Sequence, residues 1–282
     1  MKVRHPSQAG SFYADNANDL KKQIEISFTH KLGPGKTPIA QKGPRNIVGL
    51  ICPHAGYAYS GPVAAHSYHR LAADGKPDVI VIFGPNHFGK GSGLAVMTEG
   101  AWRTPLGDVQ IDEEIAKKIL HQSKIIDVDD LAHLHEHSIE VQLPFLQYLY
   151  GSALKFVPIS FLMQDFESSC EVGQAVAEVL KGKNALIIAS TDMSHYEPYE
   201  TVEKKDRKAL DALEKLDERE FYSIVESYHI TACGYGPVVA LTASAKHLGA
   251  EKCQVLCYKT SGDITGDFSS VVGYASAIFT LK

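Results

Sequence analysis

Long apolar runs are missing from this sequence. Its longest purely aliphatic or aromatic stretches, such as Val79–Phe83 and Ala185–Ala189, fall far short of the ~20 residues that a membrane span requires. Cysteine is scarce: the five present, Cys52, Cys170, Cys233, Cys253 and Cys257, are too few and too odd in number for a disulfide scaffold, and without a C-x-x-C pair they do not make a zinc ribbon. No excess of positive charge exists either. With 28 basic against 33 acidic side chains the net charge is −5, which argues against a nucleic-acid binder working through phosphate electrostatics. Gly and Pro make up only about 13% of the chain, well under low-complexity levels. The basic start Met1-Lys2-Val3-Arg4 has no apolar stretch behind it, so no secretory leader is expected. What remains is a globular composition, 44% hydrophobic and 22% charged, with thirteen histidines. The expectation is a cytoplasmic protein with no membrane and no nucleic-acid partner.

Strand and helix patterns alternate along the chain. Asn46–Cys52, Val79–Phe83, Lys155–Ile159 and Asn184–Ala189 read as buried strands, and Gln254–Thr260 and Val271–Thr280 as closing strands. Helices are predicted from Ser60 to about Ala73, with Ser60 as cap and Pro62 in the first turn, and over Asp112–His121, Ser138–Tyr150, Asp165–Leu180, Tyr199–Leu216, Glu218–Ser227 and Val238–Leu248. Gly93–Thr98 and Gly107–Ile111 read as extended segments. This alternation predicts a three-layer α/β/α sandwich around a mixed, mostly parallel central sheet. The one linker-like stretch, Gly33–Pro44, joins an N-terminal helix to the first buried strand, so a single domain over 1–282 is expected.

Three of the buried strands each run into a polar loop carrying histidine: Pro53-His54-Ala55-Gly56-Tyr57, Gly84-Pro85-Asn86-His87, and Ser190-Thr191-Asp192-Met193-Ser194-His195. In open α/β sheets ligands bind beyond the carboxyl ends of strands, so the three imidazoles point to one site, and imidazole suits iron, copper, zinc and nickel. Cys233 joins the set because it precedes a helix start, where thiolate is favoured over thiol. The run His133-Leu134-His135-Glu136-His137 is the densest in histidine. His133 and His135 are expected in a solvated loop, whereas His137 shares a face with Glu140 and is a candidate for the substrate side. Cys253 and Cys257, four apart in a strand, are expected on one face. Gly89-x-Gly91-x-Gly93 lacks the following helix of a dinucleotide site, and no G-x-S-x-G elbow or H-E-x-x-H helix occurs.

Six blocks in order carry a family resemblance: Ala9-Gly10-Ser11-Phe12-Tyr13, Pro53-His54-Ala55-Gly56-Tyr57, Gly84-Pro85-Asn86-His87, Glu136-His137-Ser138-Ile139-Glu140, Asp192-Met193-Ser194-His195 and Thr231-Ala232-Cys233-Gly234. The chain resembles the MEMO-like family (mediator of cell motility) over essentially its whole length. That resemblance implies a fold like the class III extradiol dioxygenases and a pocket of His54, His87, His195, Asp192 and Cys233. The implied metal set is His54, His87 and Cys233, with the cysteine in the place of the dioxygenase carboxylate. One transition-metal ion is expected, iron or copper ahead of zinc. In this scheme His195 is an acid/base or fourth ligand, and Asp192 orients a neighbouring imidazole. The function implied is a metal-dependent redox or dioxygenase-type enzyme. The alternative is an adaptor that keeps the pocket to bind a peptide or small molecule, with His137, Tyr59, Phe12 and Tyr13 lining it. Prokaryotic members are named for a system with a radical-SAM protein, which makes such a protein an expected partner.

Overall fold

A computed structural model describes residues 2–282. In chain order the first half contains β1 (Val3–Arg4), α1 (Ala17–Thr29), β2 (Ile47–Cys52), α2 (Tyr57–Asp74), β3 (Val79–Pro85), β4 (Leu94–Val96), β5 (Ala101–Thr104), β6 (Gly107–Ile111), α3 (Glu113–Gln122), β7 (Asp127–Val128) and α4 (Leu143–Tyr150). The second half contains β8 (Lys155–Phe161), α5 (Phe166–Leu180), β9 (Ala185–Ser190), β10 (His195–Glu197), α6 (Tyr199–Glu214), α7 (Glu218–Ser227), α8 (Tyr235–His247), β11 (Lys252–Thr260), α9 (Ser261–Thr265) and β12 (Val271–Thr280). The strands of the described residues join in one sheet of order β1-β5-β6-β8-β3-β9-β2-β12-β10, with β11 added on β12, β4 on β8 and β7 on β4. Its centre, β6-β8-β3-β9-β2, is wholly parallel, and β12 runs antiparallel to β2. The fold is therefore a mixed, mostly parallel sheet flanked by helices, α1, α2 and α4 forming one packed group and α3, α5 and α8 another.

Sequence explains most of these elements. β3 and β9 are apolar at nearly every position and buried throughout, as strands covered on both faces must be. Asn16, Asp112, Asp165 and Asp217 cap α1, α3, α5 and α7 by accepting the backbone N–H three residues on. The stretch 33–44 carries no helix or strand.

Local differences from expectation have physical causes. Helix α2 starts at Tyr57, because the Ser60 hydroxyl donates to the Ala55 carbonyl rather than capping, and Pro62 lies inside the helix. The helix expected from Ser138 breaks into a 3₁₀ turn, Glu140–Gln142, followed by α4, whose first turn holds Pro144. Ser138 is unavailable to a helix: its hydroxyl donates to the Pro85 carbonyl, and the chain at 138–139 lies across Gly84, where an added Cβ would stand 2.5 Å from Ser138 Oγ. Helix α8 starts at Tyr235, three residues early, which brings its N-terminus up to Cys233. A bulge between Val255 and Cys257 shifts the β11 register, pairing Cys253 with Phe279 but Cys257 with Ser276, so the two cysteines lie on opposite faces.

Candidate metal centre

The parallel strands β3, β9 and β2 are neighbours, with β9 between the other two, and all three end on the same edge of the sheet. Their loops deliver His87, Asp192 with His195, and His54 to that edge, while α8, packed on the same strands, delivers Cys233. These five side chains and His137 line one cleft of about 660 Å³. His54, His87 and His137 each offer a ring nitrogen, and these nitrogens lie within 4.8 Å of one another. The Cys233 sulfur is 3.1 Å from Nε2 of His54.

Hydrogen bonding behind the rings settles which nitrogen faces the cleft. The Ser190 hydroxyl donates to the Ser138 carbonyl (2.6 Å) and accepts from the Gln142 amide (2.8 Å), so at 2.9 Å it accepts from His54 Nδ1–H as well. His87 Nδ1–H donates to Glu136 Oε1 (3.0 Å), and His195 Nδ1–H to the Thr231 carbonyl (2.9 Å). His54, bonded this way and buried, keeps Nε2 unprotonated, and in His87 and His195 the Nδ1–H bond turns the Nε2 side of the ring away from its anchor. Burial, reinforced by His137, His87 and His195, holds the His54 imidazole well below its usual pKa. Burial likewise lowers His137 to about 4, against the pull of Glu136. Burial and then Asp192 push the Cys233 thiol up, so without an ion its S–H donates to His54 Nε2.

Among the described residues Asp192 makes no hydrogen bond to an imidazole ring. Its Oδ1 accepts the backbone N–H of His54 at 2.8 Å, which fixes the loop rather than an imidazole, and burial raises its pKa. Among the aromatic side chains expected at the pocket, Phe12 and Tyr59 line the cleft. Tyr13 does not: it is 2% exposed and its hydroxyl donates to Glu140. His133, expected in solvent, is fully buried with its ring edge-on to Trp102, whereas His135 is exposed as expected.

Several contributors carry no local signal. Tyr274 comes from β12, and Tyr196 reaches the rim from a bulge between His195 and Glu197, where its φ is +61°. Arg4, 4% exposed, donates to Glu140 (2.7 Å) and to the His133 and Glu136 carbonyls, and lies over Trp102 at 4.0 Å. It thereby ties the N-terminal segment to the loop bearing His137. Glu136 accepts both the backbone and ring N–H of His87. Burial alone would raise its carboxyl, yet His87 and His137 hold it down to about 2.

Comparison with known proteins places the chain. A family model described as Memo-like protein matches residues 4–278. A MEMO1 family protein of Methanopyrus kandleri is 49% identical over 278 residues, covering 98% of both chains. Another, of Methanocaldococcus jannaschii, is 49% identical over 285 residues, covering 98% of this chain and 99% of its own. An uncharacterized protein from Escherichia coli K12, at 14% identity, shares the fold with a TM-score of 0.56 over 82% of this chain and 99% of that one. The chain belongs to the Memo-like family.

Proposed function

We propose that the cleft is the centre of a metal-dependent redox or oxygenase-type enzyme, with iron or copper as its ion and a small molecule or peptide as its ligand. The observation that carries this reading is the pair His54 and His87, whose Nδ1–H groups are committed elsewhere, with ring nitrogens of both and of His137 gathered about one point. That is how outer hydrogen-bond partners prepare histidine ligands. His54 and His87 would hold the ion. Cys233, beside His54 Nε2, and His137, within reach of both other rings, stand ready as further donors. When bound, the ion supplies a Lewis acid or one-electron centre at the cleft wall.

The remaining chemistry belongs to the chain. His195 lies outside the three-histidine group, and with Nδ1–H held by Thr231 its Nε2 is the atom that takes a proton from a bound ligand. Asp192 keeps the His54 loop in place. A second reading, a module that binds a peptide or ring without chemistry, draws support from Tyr59 and Tyr196 on the rim, 45% and 78% exposed. A radical-SAM protein remains the proposed partner from the family resemblance.

The test is metal analysis of protein prepared without chelators, followed by titration with iron, copper and zinc against His54→Ala. One ion per chain, lost in the variant, is expected. No ion bound above the level of His54→Ala overturns the reading. Ligand binding unaffected by metal removal would favour the module.

A further inference from the structure

We infer that Glu136 is the positioning residue that sets His87 and His137 as a single two-armed donor toward the ion, an inference that rests on the metal reading above. The carboxylate is 1% exposed and sits at the crossing of two loops. Its Oε2 accepts the His87 backbone N–H at 2.6 Å, and its Oε1 accepts His87 Nδ1–H at 3.0 Å and the backbone N–H groups of His137 and Ser138, each at 2.8 Å. Nδ1 of His137 lies 3.3 Å from the same Oε1, off the line a hydrogen bond needs, and has no hydrogen-bond partner among the described residues.

The two rings, from loops about fifty residues apart in sequence, are stacked with centroids 4.7 Å apart and planes within 19°. A ring with Nδ1 against the carboxylate turns Nε2 away from it, so Glu136 aims the His87 imidazole directly and, through the His137 backbone N–H, sets the chain that carries the second ring against it. Phe12, edge-on to His137 with centroids 4.7 Å apart, braces the pair from the N-terminal segment. His54 meets both rings from a third loop, at 5.2 and 5.4 Å between centroids. The His137 backbone is thus held by the same oxygen that holds the His87 ring, and its own ring is set by stacking on His87 and by Phe12.

A carboxamide cannot replace this carboxylate without conflict. Whichever way Glu136→Gln is turned, its NH₂ faces an N–H donor: one on the Oε2 side, three on the Oε1 side. The experiment measures Zn(II) affinity, by competition with a chromophoric chelator, in wild type, Glu136→Gln, Glu136→Asp and His137→Ala. It also measures the imidazole tautomers of the metal-free wild type by ¹⁵N NMR. Expected is a loss of roughly 10–100-fold in Glu136→Gln and in His137→Ala, with His87 in the Nδ1–H form in the wild type. Phe145→Leu, a core change away from the cleft, should lower the melting temperature while leaving affinity within about threefold, which separates positioning from stability. If the wild type binds no Zn(II), the metal reading itself falls. If it binds and Glu136→Gln matches it within threefold, the inference falls alone. Should neither Glu136 variant fold, the wild-type spectrum decides: an Nε2–H tautomer at His87 overturns the inference, and an Nδ1–H tautomer with a weakened His137→Ala upholds it.

Discussion

Burial pushes the His137 imidazole down to about 4 against the opposing pull of Glu136, and His133, sealed beside Trp102, is held by burial and Arg4 near the same value. An imidazole whose folded pKa lies below its ordinary 6.5 binds fewer protons folded than unfolded. Its contribution is therefore complete above about pH 6.5 and is lost as pH falls toward 4. Each group accounts for roughly 3 kcal/mol over that window. Glu136, held down to about 2, adds a further loss as pH falls below the ordinary carboxylate range. Urea unfolding at pH 7 and pH 4.5 should show a clear fall in midpoint, and an unchanged midpoint would contradict the burial of these rings. Cys233 makes a second prediction at this scale. Cys233→Ser should weaken binding of every metal by about tenfold or more while the fold survives, because an unionised hydroxyl is a poor ligand. Cys233→Asp should move preference toward Fe(II) by supplying the carboxylate of a two-histidine set. Wild-type affinity in both variants would remove Cys233 from the centre.

Helix α8 owes its place to a close approach to α5. An added Cβ at Gly173 would stand 2.4 Å from the Ala240 carbonyl oxygen, and the Ser244 hydroxyl donates to the Gly173 carbonyl at 2.8 Å. Gly173→Ala sets two effects against each other. Helix propensity favours Ala by about 1 kcal/mol, whereas prying two packed helices apart costs about 1–3 kcal/mol. The clash involves backbone that cannot swing aside, so the cost falls at the upper end of that range and a net loss of up to about 2 kcal/mol in denaturant unfolding is expected. A gain in stability would mean the helices are not in contact there. The substitution should also weaken metal binding modestly, since Cys233 sits directly before α8. Gln164 holds that turn from the other side, donating to the Cys233 carbonyl and accepting from Gly236 N–H, each at 2.9 Å.

Across the whole molecule, what was legible in the sequence is what a strand announces locally. Val79–Phe83 and Asn184–Ala189 read as buried strands, and the histidines just past them were recognisable because parallel strands ending on one edge bring their loops together. Contacts that depend on distant loops were not legible. Glu136 looks like one more acid in a polar run until His87 is folded against it, and Arg4 looks like a basic N-terminal residue until it is buried under Trp102 and Glu140. Tyr13 failed for the reverse reason: it leaves the turn at residues 10–12 with its hydroxyl directed into Glu140, while Phe12 in the turn faces the cleft. Ser138 failed as a helix residue because its hydroxyl is pinned to the Pro85 carbonyl at the end of β3. Local pattern thus located the edge of the sheet where chemistry gathers, while the hydrogen bonds that aim the side chains came only with the packed loops.

The central claim is that one ion is held where His54, His87 and their neighbours converge. Anomalous diffraction from crystals of the protein, recorded above and below the iron, copper and zinc edges, tests it most directly. The account predicts a single strong peak in the cleft, about 2.0–2.1 Å from a ring nitrogen of His54 and of His87. A data set from metal-supplemented protein with no peak in that cleft, or with its only peak at surface side chains, would contradict it.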